Sequence, residues 1–66
     1  MVKILVRSVR IQKNMSIRQL ALASCISKTY IGEIEQGAKV PTLNVLCKLA
    51  KALNVDANEL FQCGDD

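Results

Sequence analysis

Met15-Ser16-Ile17-Arg18-Gln19-Leu20 carries every part of a helix start. The Ser16 hydroxyl can accept from the Gln19 backbone N–H, the Gln19 side chain can return to the Ser16 N–H, and Met15 and Leu20 sit where a hydrophobic staple needs them. The pattern recurs at Ile26-Ser27-Lys28-Thr29-Tyr30-Ile31, with Ser27 as cap and Ile26 and Ile31 as staple. Only about Ser24, Cys25 and Ile26 separate the two helices. Two helices joined by so short a turn form a helix-turn-helix. Such a turn needs a left-handed residue, and Cys25 is the candidate, at a cost of about 1 kcal/mol against Gly.

The rest of the chain is organised around these two helices. Val2, Leu5, Val6 and Val9 fall at i, i+3, i+4 and i+7, one helical face, with Lys3, Arg7 and Arg10 as a neighbouring stripe. The valines and isoleucines leave a strand open here, but the basic stripe fits a helix over 3–13 better. The second helix is expected over 16–23 and the third over 27–36, closed by Gly37, where a left-handed residue costs least. Pro41-Thr42 restarts the chain with Thr42 as cap, and Leu43, Leu46, Ala50 and Leu53 supply the inner face of a helix over 42–53, with Cys47 at its buried edge. Asp56 to Glu59 is another capping box, stapled by Val55 and Leu60, and opens a last helix over 56–61. The expected architecture is a single all-α domain over 1–66, with five short helices and no strand.

A chain of 66 residues is one small domain of marginal stability. It has no room for a deep pocket and a catalytic array, and no His to serve as general base or zinc ligand. Cysteines at 25, 47 and 63 form no C-x-x-C pair and read as free thiols of a reducing cytoplasm. No apolar run approaches a membrane span. These features argue against an enzyme, a metal or cofactor site, a small-molecule ligand and a membrane protein.

The formal charge of +3 is unevenly spread. Residues 1–18 carry +5 with no acid, 19–40 balance to zero, and 41–66 carry −2. A basic front and acidic tail suit a protein that turns one end toward a polyanion. On a 3.6-residue wheel the third helix points Ser27, Ile31 and Ile34 inward. Lys28, Thr29, Gly32, Glu33 and Gln36 point outward, a face free of large apolar side chains. An α-helix fits the major groove of B-DNA, whose edges distinguish all four base pairs.

The run from Met15 to Phe61 resembles the Cro/repressor (XRE) helix-turn-helix family: Met15-Ser16, Leu20-Ala21, Ser27, Ile31 to Glu35, Gly37, Pro41 and Leu46 to Leu53 follow the family's order. Val9-Arg10 matches its apolar-Arg pair on the first helix. The resemblance implies a compact five-helix, lambda-repressor-like domain that binds double-stranded operator DNA, usually as a homodimer, with the third helix in the major groove. By position, it places Lys28, Thr29, Gly32 and Glu33 at base-reading positions, and Ser27, Tyr30 and Lys39 at the sugar-phosphate backbone. Ile17 stands where the family often has a phosphate-binding Gln; it offers no side-chain hydrogen bond, leaving the backbone N–H groups. The resemblance also implies that Arg10 and Glu35 pair across the first and third helices.

Several residues carry two readings. Gly32 is either a place of close approach to DNA or a tolerated surface glycine. Glu33, which repels phosphate, is either a base reader that accepts from a cytosine N4 or a solvated surface glutamate. Arg7, Lys13 and Arg18 read as a solvated face, with contact to a phosphate the alternative. Ile4, Ile11, Leu22, Val45 and Phe61 fit a monomer's interior poorly and suggest a partner surface, with Phe61 either the first candidate for a dimer contact or a cap on the core's open end. The function that follows is a sequence-specific transcriptional regulator, a dimeric repressor on a two-fold operator. The alternative is a helix-turn-helix interaction module, of antitoxin or antagonist type, that acts through a protein partner.

Overall fold

Ser16, Ser27 and Thr42 each end an extended segment and begin a helix in the computed structural model, which describes residues 2–64. The element order is β1 (Val2–Ile4), α1 (Val6–Gln12), α2 (Ile17–Ser24), α3 (Lys28–Glu35), α4 (Leu43–Leu53), a 3-10 turn (Ala57–Glu59) and β2 (Phe61–Cys63). The Ser16 Oγ accepts from the Gln19 N–H at 3.0 Å, and the Ser16 N–H donates to Gln19 Oε1 at 2.8 Å, a complete capping box. Ser27 Oγ accepts from the Tyr30 N–H at 3.0 Å and Thr42 Oγ1 from the Val45 N–H at 3.2 Å. Each bond satisfies a backbone donor that the first turn of a helix leaves without a partner.

Four left-handed residues turn the chain at helix ends: Asn14, Cys25, Gly37 and Asn54. After α3, the Gly37 N–H donates to the Ile34 carbonyl at 3.2 Å and the Ala38 N–H to the Glu33 carbonyl at 2.9 Å, the paired bonds of a Schellman motif. Cys25, at φ 60°, makes the turn between α2 and α3, and the buried Ser24 hydroxyl accepts from the Ile26 N–H at 3.3 Å. The Cys25 side chain is exposed and free. Cys25→Gly is therefore expected to raise folding stability by up to about 1 kcal/mol, since it relieves a left-handed Cβ without opening a cavity. A fall in the urea midpoint would contradict this.

The first and last expected helices are corrected. Helix one starts at Val6, not at 3, because Val2, Lys3 and Ile4 pair antiparallel with Cys63, Gln62 and Phe61. The Leu5 N–H extends the ladder by donating to the Leu60 carbonyl at 2.8 Å. The expected helix 56–61 is a 3-10 turn over Ala57–Glu59, with the Asp56 N–H donating to Glu59 Oε2 at 2.9 Å. Phe61 leaves that turn to enter β2. Four helices and a two-stranded sheet thus replace the five-helix, strand-free architecture. So short a two-stranded sheet is unstable alone and depends on the helices it packs against.

The core is aliphatic. Val6 and Val9 of α1, Leu20 of α2, Ile31 and Ile34 of α3, and Leu46, Leu49, Ala50 and Leu53 of α4 meet Ile26 and Leu60 in one cluster. The inner face of α4 includes Leu49 and excludes Leu43, which is 78% exposed in the first turn, beyond the reach of the packed helices. Cys47 is exposed as well, since Leu46, Leu49, Ala50 and Leu53 define a stripe that leaves it outside. Ile4, Val45 and Phe61 are half-buried against the core, whereas Ile11 and Leu22 are exposed. Val2, expected on a helical face with Val6, is an exposed strand residue.

Candidate nucleic-acid interface

The short turn at Cys25 sets α3 against α2 with Ile31 and Ile34 turned into the core. That choice fixes the other face. Lys28, Thr29 and Gln36 are exposed, and Gly32 and Glu33 are half-exposed beside them. Ser27, at the cap, is exposed rather than inward. Its oxygen accepts from the helix, and its own O–H remains available as a donor.

Arg10 anchors the last turn of α3. Its Nε donates to Glu35 Oε2 at 2.8 Å and its Nη2 to Glu35 Oε1 at 3.0 Å, a bidentate fork. Its Nη1 donates to the Met15 carbonyl at 2.9 Å. One guanidinium thus ties α1, the α1–α2 turn and the last turn of α3 together. The side chains are 14% and 7% exposed. The Glu35 hydrogen bonds raise the Arg10 pKa further above its ordinary value, outweighing the opposing effect of burial.

A polar cleft of about 330 Å³ opens between these elements, lined by Arg7, Arg10, Ile17, Gly32, Glu35 and Gln36. It brings the start of α2 beside the outer face of α3. Arg7, read from sequence as a solvated cation, lies at this junction. The signal was present: Arg7 is one turn before Arg10 on the same stripe, and Arg10 meets Glu35. Ile17 packs partly against the core, and a Cβ built on Gly32 would stand 3.8 Å from Ile17 Cδ1. That is ordinary contact, so Gly32→Ala is expected to stabilise the fold by about 1 kcal/mol through helix propensity. Thermal melts check this, and a lower melting temperature would contradict it.

Lys39 does not extend freely from the loop. It folds back over α3, with Nζ 3.8 Å from Glu33 Oε1 and 5.8 Å from the centre of the Tyr30 ring. Phe61 lines an apolar groove with Val2, Ile4, Val40, Pro41, Leu43 and Leu46.

Among the described residues no helix is long and apolar enough to cross a membrane, and no group of His, Cys, Asp and Glu could hold a metal ion. What the fold presents is a helix with one exposed polar face, braced by a part-buried ion pair and set on a tight turn. A family model described as helix-turn-helix matches residues 6–60. The chain belongs to this helix-turn-helix family, of the Cro/repressor (XRE) type.

An uncharacterised HTH-type transcriptional regulator of Mycobacterium tuberculosis is 41% identical over 56 residues, which are 85% of this chain and 40% of that protein. The control protein C.SmaI of Serratia marcescens is 46% identical over 56 residues, covering 85% of this chain and 67% of that protein. The crystal structure of the restriction-modification controller protein C.AhdI from Aeromonas hydrophila matches with a TM-score of 0.79 at 33% identity, over 82% of each chain. The chain spans about two fifths of the length of the mycobacterial relative.

Proposed function

We propose that this protein is a sequence-specific DNA-binding transcriptional regulator, a repressor that acts as a homodimer in the cytoplasm and reads a two-fold operator with α3 in the major groove. The observation that carries this reading is the outward face of α3, which is polar and solvent-accessible on a helix braced by the Arg10–Glu35 fork. Lys28, Thr29, Gly32 and Glu33 face the base edges. Ser27, Tyr30 and Lys39 lie along the backbone, and the free N–H groups at the start of α2 receive a phosphate at Ile17. Arg7 supplies beside Ile17 the charge that the isoleucine lacks. The names of the relatives, transcriptional regulators and control proteins, support the same reading. No catalytic step, cofactor or small-molecule ligand enters it.

The homodimer is proposed from the apolar groove under Phe61. Val2, Val40 and Leu43 are 53%, 78% and 78% exposed around it, a contiguous apolar patch of the kind a partner covers. In a two-fold complex the half-sites lie about 34 Å apart, one turn of DNA. Analytical ultracentrifugation of wild type and Phe61→Ala tests this, with concentration-dependent association expected in the first and weakened in the second. A strict monomer that binds a single half-site would refute the dimer.

A further inference from the structure

Glu33 is the one acidic residue on the outward face of α3, and it faces a problem that the rest of the face does not. A carboxylate brought into the major groove is repelled by the phosphates on both rims. The turn after α3 addresses this twice. The Glu33 carbonyl accepts from the Ala38 and Lys39 N–H groups at 2.9 and 3.3 Å, which wraps the chain back over the end of the helix. Gly37, at φ 82°, makes that reversal possible. The same wrap delivers the Lys39 ammonium to the Glu33 carboxylate at 3.8 Å and over the Tyr30 ring at 5.8 Å.

We infer that Lys39 is a positioning residue for base recognition: it neutralises and holds the Glu33 carboxylate so that Glu33 can approach a cytosine N4 in the groove. The inference rests on the DNA-binding function proposed above. It changes the role that position alone gives Lys39. A lysine that only touched phosphate would weaken all sequences alike. A lysine that acts through Glu33 also alters the preference at the base pair Glu33 faces. Both side chains are solvent-accessible, at 56% and 38%, so the pair adds little to folding. Its effect is exerted when DNA approaches and removes the water that screens it.

The test is a double-mutant cycle on the full chain, with Lys39→Met, Glu33→Gln and the two together. Met keeps the aliphatic stem over Tyr30 and removes the charge. Affinity is measured for the DNA that wild type selects from a random pool, and for each single-base substitution of it. Lys39→Met is expected to weaken binding to the selected site about tenfold when Glu33 is present, and about threefold or less alongside Glu33→Gln. It should also flatten the preference at the position where Glu33→Gln flattens it. Lys39→Arg should restore both. Melting temperatures should be the same for all variants. Additive losses with an unchanged base profile would overturn the role of Lys39 while leaving the DNA-binding function intact. A wild-type protein that selects no sequence would overturn both.

Discussion

Arg10→Met lowers folding stability by about 3 kcal/mol or more, the cost of leaving one partner of a buried ion pair without the other. The Glu35 side chain is 7% exposed and receives two bonds from Arg10, so once the guanidinium is gone its charge meets water only at the edge of the polar cleft. The Met15 carbonyl loses its donor in the same substitution. A domain of this size has a total stability of only about 3–10 kcal/mol, so the variant should melt far below wild type and bind DNA weakly wherever it stays folded. Combining Arg10→Met with Glu35→Leu should recover much of the stability, because an apolar pair of similar volume often replaces a buried ion pair at little cost. It should not recover DNA affinity in full, since the fork that orients the last turn of α3 is absent. An unchanged melting temperature for Arg10→Met would mean that the pair does not hold the fold.

Lys28→Ala relaxes the sequence preference at one position of each half-site, a loss of about 1–3 kcal/mol of discrimination. Lys28 is the first residue of α3 and is exposed, in the turn that enters the groove in this motif. From there its ammonium can meet guanine O6 and N7. The measurement is binding of wild type and variant to every single-base substitution of the selected operator. Two profiles that differ only by a constant offset would assign Lys28 to a phosphate instead.

The parts of the fold legible in the sequence were the local ones. Ser16, Ser27 and Thr42 announce their helices because a cap and its partner lie three residues apart. The left-handed turn at Cys25 followed from the shortness of the gap, and Gly37 from its place after Ile34. Asn14 and Asn54 make the same kind of turn but were not read as such, since the hydrophobic pattern alone ends α1 and α4 acceptably.

The sheet was illegible for a different reason. Val2–Ile4 pairs with Phe61–Cys63, from the other end of the chain, and no local signal records a partner so distant. The spacing of Val2, Leu5, Val6 and Val9 then assigned to one helix residues that belong to two elements. Leu43 and Cys47 show the matching limit for burial. A helical wheel places side chains in the right direction, but only the surrounding elements decide whether anything covers them.

Within the candidate interface, the outward set on α3 was readable because Ile31 and Ile34 fix which way the helix turns. The position of Lys39 over Glu33 and Tyr30 was not, because it depends on how the Gly37 turn directs the chain. The place of Arg7 in the cleft is not legible in the sequence, because charge by itself does not distinguish a cation beside α3 from one that faces open water.

Whether α3 reads a DNA sequence is decided by selection of DNA from a random pool, followed by titration of the selected and scrambled duplexes across a range of salt. The expected result is enrichment of a two-fold symmetric site with half-sites about 34 Å apart, and affinity that falls log-linearly with salt, by nearly one unit of slope per phosphate contacted. The scrambled duplex should bind more weakly, by at least about a thousandfold at physiological salt. A pool that emerges without enrichment, or selected and scrambled duplexes bound equally at every salt concentration, would contradict it.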